Sequence, residues 1–218
     1  MKRIKEWLFN HEKVYSFCCF FLNLFGWNSR IKNLPHTCWL RNTKVIDKGQ
    51  GNKISIKKRS ILHDCVIKFY GNNNCVYIGE DCFLRNLTIW IEDNGNCINI
   101  GNNTTIHGIT NLACIEGCSI TVGEDCMFSS NVSMRTGDSH SVLDLDGNRI
   151  NSSKSITVGN HVWIGQNAYL GKGAYIPDSS VVGACSVITK KFDRTHVAIG
   201  GNPAKIIKEN IDWCRERI

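Results

Sequence analysis

The stretch SITVGNHVWIGQNAYLGKGAYIPDSSVVGACSVITK, residues 155–190, carries an aliphatic side chain at every sixth position. Glycine follows four of these positions and proline follows a fifth, and both residues favour turns. The fourth residue after the aliphatic one is small or slim. The aliphatic positions are Val158, Ile164, Leu170, Ile176, Val182 and Ile188, and the small ones are Val162, Ala168, Ala174, Ser180 and Ser186.

A period of six fits neither an α-helix, which repeats every 3.6 residues, nor an alternating strand. It fits a short flat strand followed by a corner, with three strands and three corners making one triangular coil. Stacked coils bury the aliphatic position, and the small residue lets a second side chain enter the narrow interior. The repeat therefore predicts an all-β solenoid, whose coils are stable only against their neighbours.

Variants of the same phrase occur upstream, in CVYIGEDC (75–82), CINIGNNT (97–104) and SITVGEDC (119–126). Their aliphatic positions, Ile78, Ile100 and Val122, are 22 residues apart, so each coil there holds extra residues. Cys82 and Cys126 occupy the small position, where we expect them to act as compact hydrophobic side chains.

The next aliphatic position, Val158, comes 36 residues after Val122, and the polar stretch RTGDSHSVLDLDGNRIN (135–151) fills much of this gap. We expect an insertion over 135–153 that projects from the solenoid, a common location for functional residues. It contains one histidine, His140, which taken alone is either a catalytic group or an ordinary exposed loop residue.

The two ends of the chain differ from the repeat. Residues 1–34 are basic and then aromatic, which predicts amphipathic helices that cap the solenoid or pack between subunits, with contact to a membrane surface as the alternative. Their apolar part is too short to span a bilayer. Residues 205–218, KIIKENIDWCRERI, predict a closing helix, which leaves 35–204 as the solenoid domain.

Composition narrows the classes of function. A chain of 218 residues suffices for one domain, and a formal net charge of +7 favours anionic partners. No nucleic-acid-binding motif occurs, and the twelve cysteines lack zinc-site spacing, so we expect neither nucleic acid nor a metal. No cleavage site of small residues follows the apolar stretch 15–27, so we expect reduced cysteines and a cytoplasmic location.

The repeat, together with VGNHVWIG (158–165), VVGACSVITK (181–190) and GGNPAKIIK (200–208), resembles the hexapeptide-repeat acyltransferases. The resemblance covers roughly residues 50–210 and implies a left-handed parallel β-helix. Residues 123–151 and 200–213 are most similar to bacterial polysaccharide O-acetyltransferases, among them those that modify sialic-acid capsules. Galactoside and maltose O-acetyltransferases share the layout more distantly.

This resemblance implies transfer of an acetyl group from acetyl-CoA to a carbohydrate hydroxyl. His140 matches the family's catalytic histidine, and imidazole suits removal of the hydroxyl proton. Trp163 matches a tryptophan near the thioester, although packing on the coil is an equal explanation. We expect direct transfer, because no serine sits in a nucleophile elbow and no cysteine pairs with a histidine in a recognisable phrase.

The resemblance also implies the cofactor site. Lys190, Lys205 and Lys208 match positions that face the phosphates of coenzyme A, although each alone is an ordinary surface lysine. Thr189 and Ala184 match positions that touch its pantetheine arm or adenine through their backbone, and Gln166 matches a position beside the thioester.

Other polar residues have weaker assignments. Asp138 or Asp144 is a candidate to orient the imidazole of His140, and Asp138 and Arg149 are candidates to contact the acceptor sugar. His161, which follows a glycine corner and is expected to point outward, and His107 are the competing histidines, with little expectation of a direct role.

The resemblance further implies a homotrimer that binds acetyl-CoA between neighbouring subunits. The net charge fits an acidic polysaccharide acceptor, such as a polymer containing sialic acid, although coenzyme A alone accounts for much of it. The alternatives are an N-acetyltransferase of a nucleotide-linked amino sugar and a solenoid that only binds polysaccharide.

Overall fold

The computed structural model describes residues 13–14, 16–19, 35 and 37–218. Residues 13–14 and 16–19 are helical, and the rest of the helical segment expected over 1–34 lies outside the described residues. Within the part of the chain that the structure describes, no helix is long and apolar enough to cross a lipid bilayer.

Three sheets make up the faces of a triangular solenoid. Sheet A contains β1 (Trp39–Arg41), β4 (Ile61–His63), β7 (Phe83–Arg85), β10 (Thr105–Ile106), β13 (Met127–Phe128), β16 (Trp163–Ile164), β19 (Val181–Val182), β21 (Val197–Gly201) and β22 (Ala204–Glu209). Sheet B contains β2 (Lys44–Asp47), β5 (Val66–Phe69), β8 (Leu87–Ile91), β11 (Thr110–Cys114), β14 (Val132–Arg135), β17 (Tyr169–Leu170) and β20 (Val187–Ile188). Sheet C contains β3 (Lys53–Ile56), β6 (Cys75–Ile78), β9 (Cys97–Ile100), β12 (Ser119–Val122), β15 (Ile156–Val158) and β18 (Tyr175–Ile176).

The chain passes through the three sheets in turn, and from β1 to β21 the strands pair in parallel with the strand one coil later. The predicted left-handed parallel β-helix is confirmed, and the structure gives it about seven turns. The register shows how the coil length changes along the axis. Trp39 pairs with Ile61 at the amino-terminal end, Met127 pairs with Trp163 across the insertion, and Trp163 pairs with Val181 in the regular hexapeptide part.

The interior is the predicted aliphatic stack. All six repeating positions from Val158 to Ile188 are at most 1% exposed, and so are the five small ones. Cys82 and Cys126 are buried as predicted, and burial raises the pKa of Cys82 to about 11, which keeps it a neutral thiol. Each coil therefore buries its aliphatic and small side chains against the coils on either side.

The corners use a left-handed backbone. Asn103, Asp125 and His161 have φ of 57°, 53° and 52° at one corner of successive coils. Asn and Asp tolerate this conformation better than most residues. Beside it, a Cβ atom on Gly123 would lie 2.5 Å from the carbonyl oxygen of Gly159, so only glycine fits where the coils stack this closely.

The helix predicted over 205–218 is wrong. Ala204–Glu209 is strand β22, which pairs antiparallel with β21, and residues 210–218 contain no helix. The exposed edge of β21 offers backbone partners to the returning chain, whereas a helix of this length is marginal by itself. The terminal tail instead lies against the side of the solenoid, where Arg215 contacts Asp125.

One pair of cysteines departs from the reduced state expected for all of them. Cys75 and Cys97 are register partners on β6 and β9 and form a disulfide. Their Cα atoms are 4.7 Å apart, within the range that a disulfide spans. Parallel in-register pairing brings identical repeat positions together, which explains why these two residues meet.

Candidate active site

The insertion is an ordered hairpin. The chain leaves sheet B after β14 and returns to sheet C at β15, and between them Leu143 and Arg149 form an antiparallel bridge. The amide of Ile150 donates to the carbonyl of Val142 at 2.9 Å, and Gly147, with φ of 83°, forms the turn. His140 lies exposed just before this hairpin.

Asn151 holds the base of the hairpin. Its side chain is nearly buried at 8% exposure. Its Nδ2 donates to the carbonyl of His140 at 2.8 Å and to Oδ2 of Asp138 at 2.9 Å. Its Oδ1 accepts from the amide of Val142 at 2.8 Å and from Nε of Arg149. The side-chain amide of Asn151 therefore fixes the backbone of His140 while all of its own hydrogen-bonding groups are paired.

Two ion pairs fasten the hairpin to the solenoid. Asp138 pairs with Nζ of Lys172, and this hydrogen bond, with that of Asn151, lowers the pKa of the carboxyl group below its usual value. Nη2 of Arg149 lies 2.7 Å from Oε1 of Glu116. Both residues expected to contact the acceptor thus have structural partners, and their contact with a sugar stays a prediction.

The carboxylates expected to orient the imidazole of His140 are engaged elsewhere. Asp138 faces Lys172 and Asn151. Oδ1 of Asp144 accepts from the amides of Asn148 at 2.8 Å and Asp146 at 3.0 Å inside the hairpin turn. The expectation that either carboxylate orients the ring is not met within one chain, because Asp138 is engaged by two residues distant in the sequence and Asp144 by amides of its own turn.

Trp163 lies on β16, on the outer surface of sheet A. Its side chain is 37% exposed, and its Nε1 donates weakly to Oγ of Ser129 at 3.4 Å. The hairpin of His140 starts at the corner between sheets B and C, which in a triangular coil lies opposite sheet A. One chain therefore presents His140 and Trp163 on different sides of the solenoid.

His161 lies on the outside of its coil, as expected, but the terminal tail covers it. Its ring stacks on Trp213 with centroids 4.4 Å apart. Nδ1 lies 2.6 Å from Oδ2 of Asp125 and Nε2 lies 3.0 Å from the carbonyl oxygen of Trp213. Both ring nitrogens face acceptors, so the protonated ring fits this site.

The pKa values at this contact follow from opposing influences. Burial, the largest one, lowers the pKa of His161, but the hydrogen bonds to Asp125 and Trp213 outweigh it and raise the pKa above its usual value. Burial likewise raises the pKa of Asp125, while bonds from His161 and Arg215 lower it overall. This ion-pair cluster engages both ring nitrogens of His161 and fastens the tail to the solenoid.

His107, the other competing histidine, is exposed and lies 5.6 Å from the ring of Phe83. This contact is on sheet A at the coil preceding β13, away from the hairpin. His140 is thus the histidine that the insertion holds in place and presents to solvent.

The residues assigned to coenzyme A fall in three places. Gln166 and Ala184 lie at the corner between sheets A and B, where the amide of Cys185 donates to the carbonyl of Gln166 at 2.8 Å. Thr189 and Lys190 follow β20 at the next corner, and Nζ of Lys190 lies over the ring of Phe192.

The two remaining lysines, Lys205 and Lys208, are exposed on β22 of sheet A. The structure therefore brings Trp163, Gln166 and Ala184 to one side of the last coils, with Lys205 and Lys208 on the added strand. It separates Lys190 from them within one chain, and the contact of each residue with coenzyme A stays a prediction.

Several residues that organise these sites were not predicted from the sequence: Asn151, Lys172, Glu116, Asp125, Trp213 and Arg215. Arg215 contacts Oδ1 of Asp125 at 2.9 Å and Oγ1 of Thr105 at 2.7 Å, 110 positions earlier. No local pattern indicates such pairs. The one available signal was Asn151 itself, an amide residue at the end of a charged insertion.

Comparison with known proteins gives a consistent result. Residues 155–190 match the family model described as bacterial transferase hexapeptide (six repeats). A polysialic acid O-acetyltransferase of Neisseria meningitidis is 35% identical over 192 residues, 88% of each chain. A protein of the same name from Escherichia coli O1:K1 / APEC is 36% identical over 99 residues, 45% of this chain and 32% of that protein.

Solved structures include a relative with the same architecture. The crystal structure of the polySia specific acetyltransferase NeuO matches with a TM-score of 0.65 and 30% sequence identity. The match covers 80% of this chain and 90% of the NeuO chain. The shared region therefore includes most of the solenoid, rather than the six regular repeats alone.

Proposed function

This chain belongs to the hexapeptide-repeat acetyltransferases, in the group that includes the polysialic acid O-acetyltransferases, and we propose that it transfers an acetyl group from acetyl-CoA. The proposed acceptor is a hydroxyl of an acidic bacterial cell-surface polysaccharide. The observation that carries the proposal is the anchored hairpin. It fixes the backbone of His140 through Asn151 and leaves the imidazole exposed to a substrate.

In the proposed reaction, the neutral imidazole of His140 takes the proton of the sugar hydroxyl as its oxygen attacks the thioester carbonyl carbon. The new C–O bond forms, the C–S bond breaks, and the imidazolium returns the proton to the departing thiolate of coenzyme A. A positioned histidine supplies this general base catalysis, typically about 10²–10⁴-fold in rate. No acyl-enzyme is required.

The site is proposed to form between two copies of the chain. His140 and Trp163 lie on different sides of one solenoid, so they meet at one substrate only if each comes from a different copy. The hairpin supports this arrangement, because four of its apolar side chains are exposed: Val142, Leu143, Leu145 and Ile150. Exposed apolar clusters favour protein contact, and we propose a homotrimer.

The same arrangement accommodates the donor. Lys205 and Lys208 of one copy and Lys190 of its neighbour would supply point charges for the phosphates of coenzyme A. Trp163, Gln166, Ala184 and Thr189 would line the path of the pantetheine arm. A separation of these residues within one chain is expected if the donor lies in a groove between subunits.

The proposal is tested by measuring thiol release from acetyl-CoA with a panel of acidic and neutral oligosaccharides. We expect release to depend on an acidic acceptor and the product to lose its acetyl group in mild alkali, as an ester does. An alkali-stable product would indicate N-acetylation of an amino sugar instead. Failure of acetyl-CoA to bind in a calorimetric titration would contradict the proposal and favour a solenoid that only binds polysaccharide.

A further inference from the structure

A cavity of about 330 Å³ opens on the outer face of sheet B, at the base of the hairpin. It spans three successive coils, with Trp90 and Glu92 from the β8 coil, Ala113 from β11 and Arg135 from β14. Ser139, the residue before His140, completes its rim. The cavity is therefore next to the residue that the proposed reaction uses as a base.

The cavity exists because a small residue separates two large ones. Trp90, Ala113 and Arg135 are register partners that point outward from neighbouring strands. The methyl group of Ala113 leaves a gap between the indole and the guanidinium. Strand register is fixed by the buried face, so the small residue stays aligned between the two large ones.

The indole of Trp90 is held in place from the amino-terminal side. Tyr70 packs on it with ring centroids 4.6 Å apart, and Nζ of Lys68 lies 4.7 Å from the ring centroid. Nε1 of Trp90 donates to Oε1 of Glu92 at 2.7 Å. These contacts hold the ring and engage its N–H, and the same indole borders the cavity together with Ala113 and Arg135.

The charges around the cavity favour an anion. Arg135 is exposed, and its Nη2 is 3.5 Å from Oγ of Ser139, at the limit of a hydrogen bond, so the guanidinium retains donors for a ligand. Lys68 and Lys48 continue the positive charge along the sheet, the latter over the ring of Tyr70 at 5.2 Å. Glu92, the one acidic residue of the lining, already accepts from the indole.

We propose that this cavity is the acceptor subsite, in which one carboxylate-bearing sugar ring packs on Trp90 and directs its carboxylate to Arg135. Sugar rings present C–H faces that pack on aromatic rings, and guanidinium binds carboxylates in a paired geometry. The polymer continues over Tyr70, Lys68 and Lys48, and a ring at the cavity has its hydroxyls beside His140. The inference rests on the proposed function, whose substrate class it narrows.

The test uses the full-length wild-type protein, the variants Trp90→Ala and Arg135→Gln, and two matched controls. Tyr77→Ala removes an aromatic side chain that is 43% exposed on sheet C, and Arg85→Gln removes an exposed arginine at the end of β7 on sheet A. The probe is a short oligosaccharide of sialic acid, with a neutral glucose oligosaccharide of equal length for comparison. Binding is measured by calorimetry, and KM and kcat by thiol release.

We expect Trp90→Ala and Arg135→Gln each to weaken acidic-oligosaccharide binding about tenfold or more, since a hydrogen bond to a charged group is lost in the latter. Trp90→Phe, which keeps the aromatic face, should lie closer to wild type. The KM for acetyl-CoA should stay within about twofold in every variant, and both controls should bind as wild type does. A rise in the KM for the acceptor without a change in the KM for acetyl-CoA would distinguish loss of the subsite from general damage to the fold.

Two outcomes overturn the subsite: wild-type binding by both cavity variants, or equal binding of the neutral and acidic oligosaccharides. Absence of acidic-oligosaccharide binding to the wild-type protein overturns it as well. Failure of the proposed function is a separate result. Binding of the oligosaccharide through Trp90 and Arg135 without thiol release would support the subsite and contradict the proposed reaction.

Discussion

Asn151 donates a hydrogen bond of 2.8 Å to the backbone carbonyl of His140, across 11 positions of the hairpin. The same side chain also donates to the carboxylate of Asp138 and accepts from the backbone amide of Val142. One nearly buried side chain therefore connects the start and the end of the insertion. The position of the proposed base thus depends on a residue that takes no part in proton transfer.

Replacement of Asn151 should disturb the position of His140 without removing the proposed base. We expect Asn151→Ala to lower kcat about tenfold, because the carbonyl of His140 and the amide of Val142 lose a partner worth roughly 1–3 kcal/mol each when unsatisfied. The KM for acetyl-CoA should change little. Asn148→Ala, at the hairpin tip, is the matched control, and equal kcat losses in both variants would contradict a specific role for Asn151.

The ion pair between Asp138 and Lys172 should restrain the hairpin at neutral pH. The pKa of Asp138 is lowered, first by Lys172, so the pair is present above the usual carboxyl value of 3.8 and is lost as pH falls through the lower folded value. We expect Lys172→Met to increase protease cleavage within 138–150 at pH 7, whereas Lys154→Met should not. Unchanged cleavage in Lys172→Met would contradict this restraint and leave Asn151 and the ion pair of Arg149 with Glu116 to hold the hairpin.

Docking of the terminal tail should weaken as pH rises. The pKa of His161 is raised above 6.5, so its charge stabilises the tail contact fully below 6.5 and is lost as pH rises through the higher folded value. The lowered pKa of Asp125 keeps that carboxylate charged above 3.8. Fluorescence of Trp213, followed from pH 5 to 9, should report tail release at the alkaline end. His161→Gln should remove this pH dependence, and an unchanged profile in that variant would contradict the assignment.

The small position of the repeat should not tolerate a larger side chain. Ala168 is 1% exposed inside the last regular coils, so Ala168→Leu should destabilise the fold by about 1–3 kcal/mol through overpacking. The same change at the exposed corner residue Ala184 should leave the thermal midpoint nearly unchanged. Equal midpoints for both variants would contradict the packed interior described above.

The fold could be predicted from the sequence because its signal is local and repeated. The six-residue spacing of the aliphatic positions from Val158 to Ile188 indicates the coil length directly, and turn-forming residues follow each strand. The candidate site could be proposed through the resemblance around His140 and VWIG. Its supporting contacts could not, because they join distant positions such as Asp138 with Lys172 and Thr105 with Arg215.

The error at the carboxyl terminus has a related cause. KIIKENIDW has charged and apolar residues in an order that suits a helix or a strand, and only the free edge of β21 decides for the strand. The tail beyond it is held by side-chain contacts of Trp213 and Arg215 rather than by a periodic pattern. Tertiary context, which a short segment does not contain, determined both structures.

The central claim, that His140 removes the hydroxyl proton, is tested most directly by the kcat of His140→Ala in acetyl transfer to an acidic oligosaccharide. We expect kcat to fall about 10²–10⁴-fold while acetyl-CoA binding is unchanged. His107→Ala, which removes an exposed histidine outside the hairpin, should retain wild-type turnover. A kcat of His140→Ala within twofold of the wild-type value would contradict the claim.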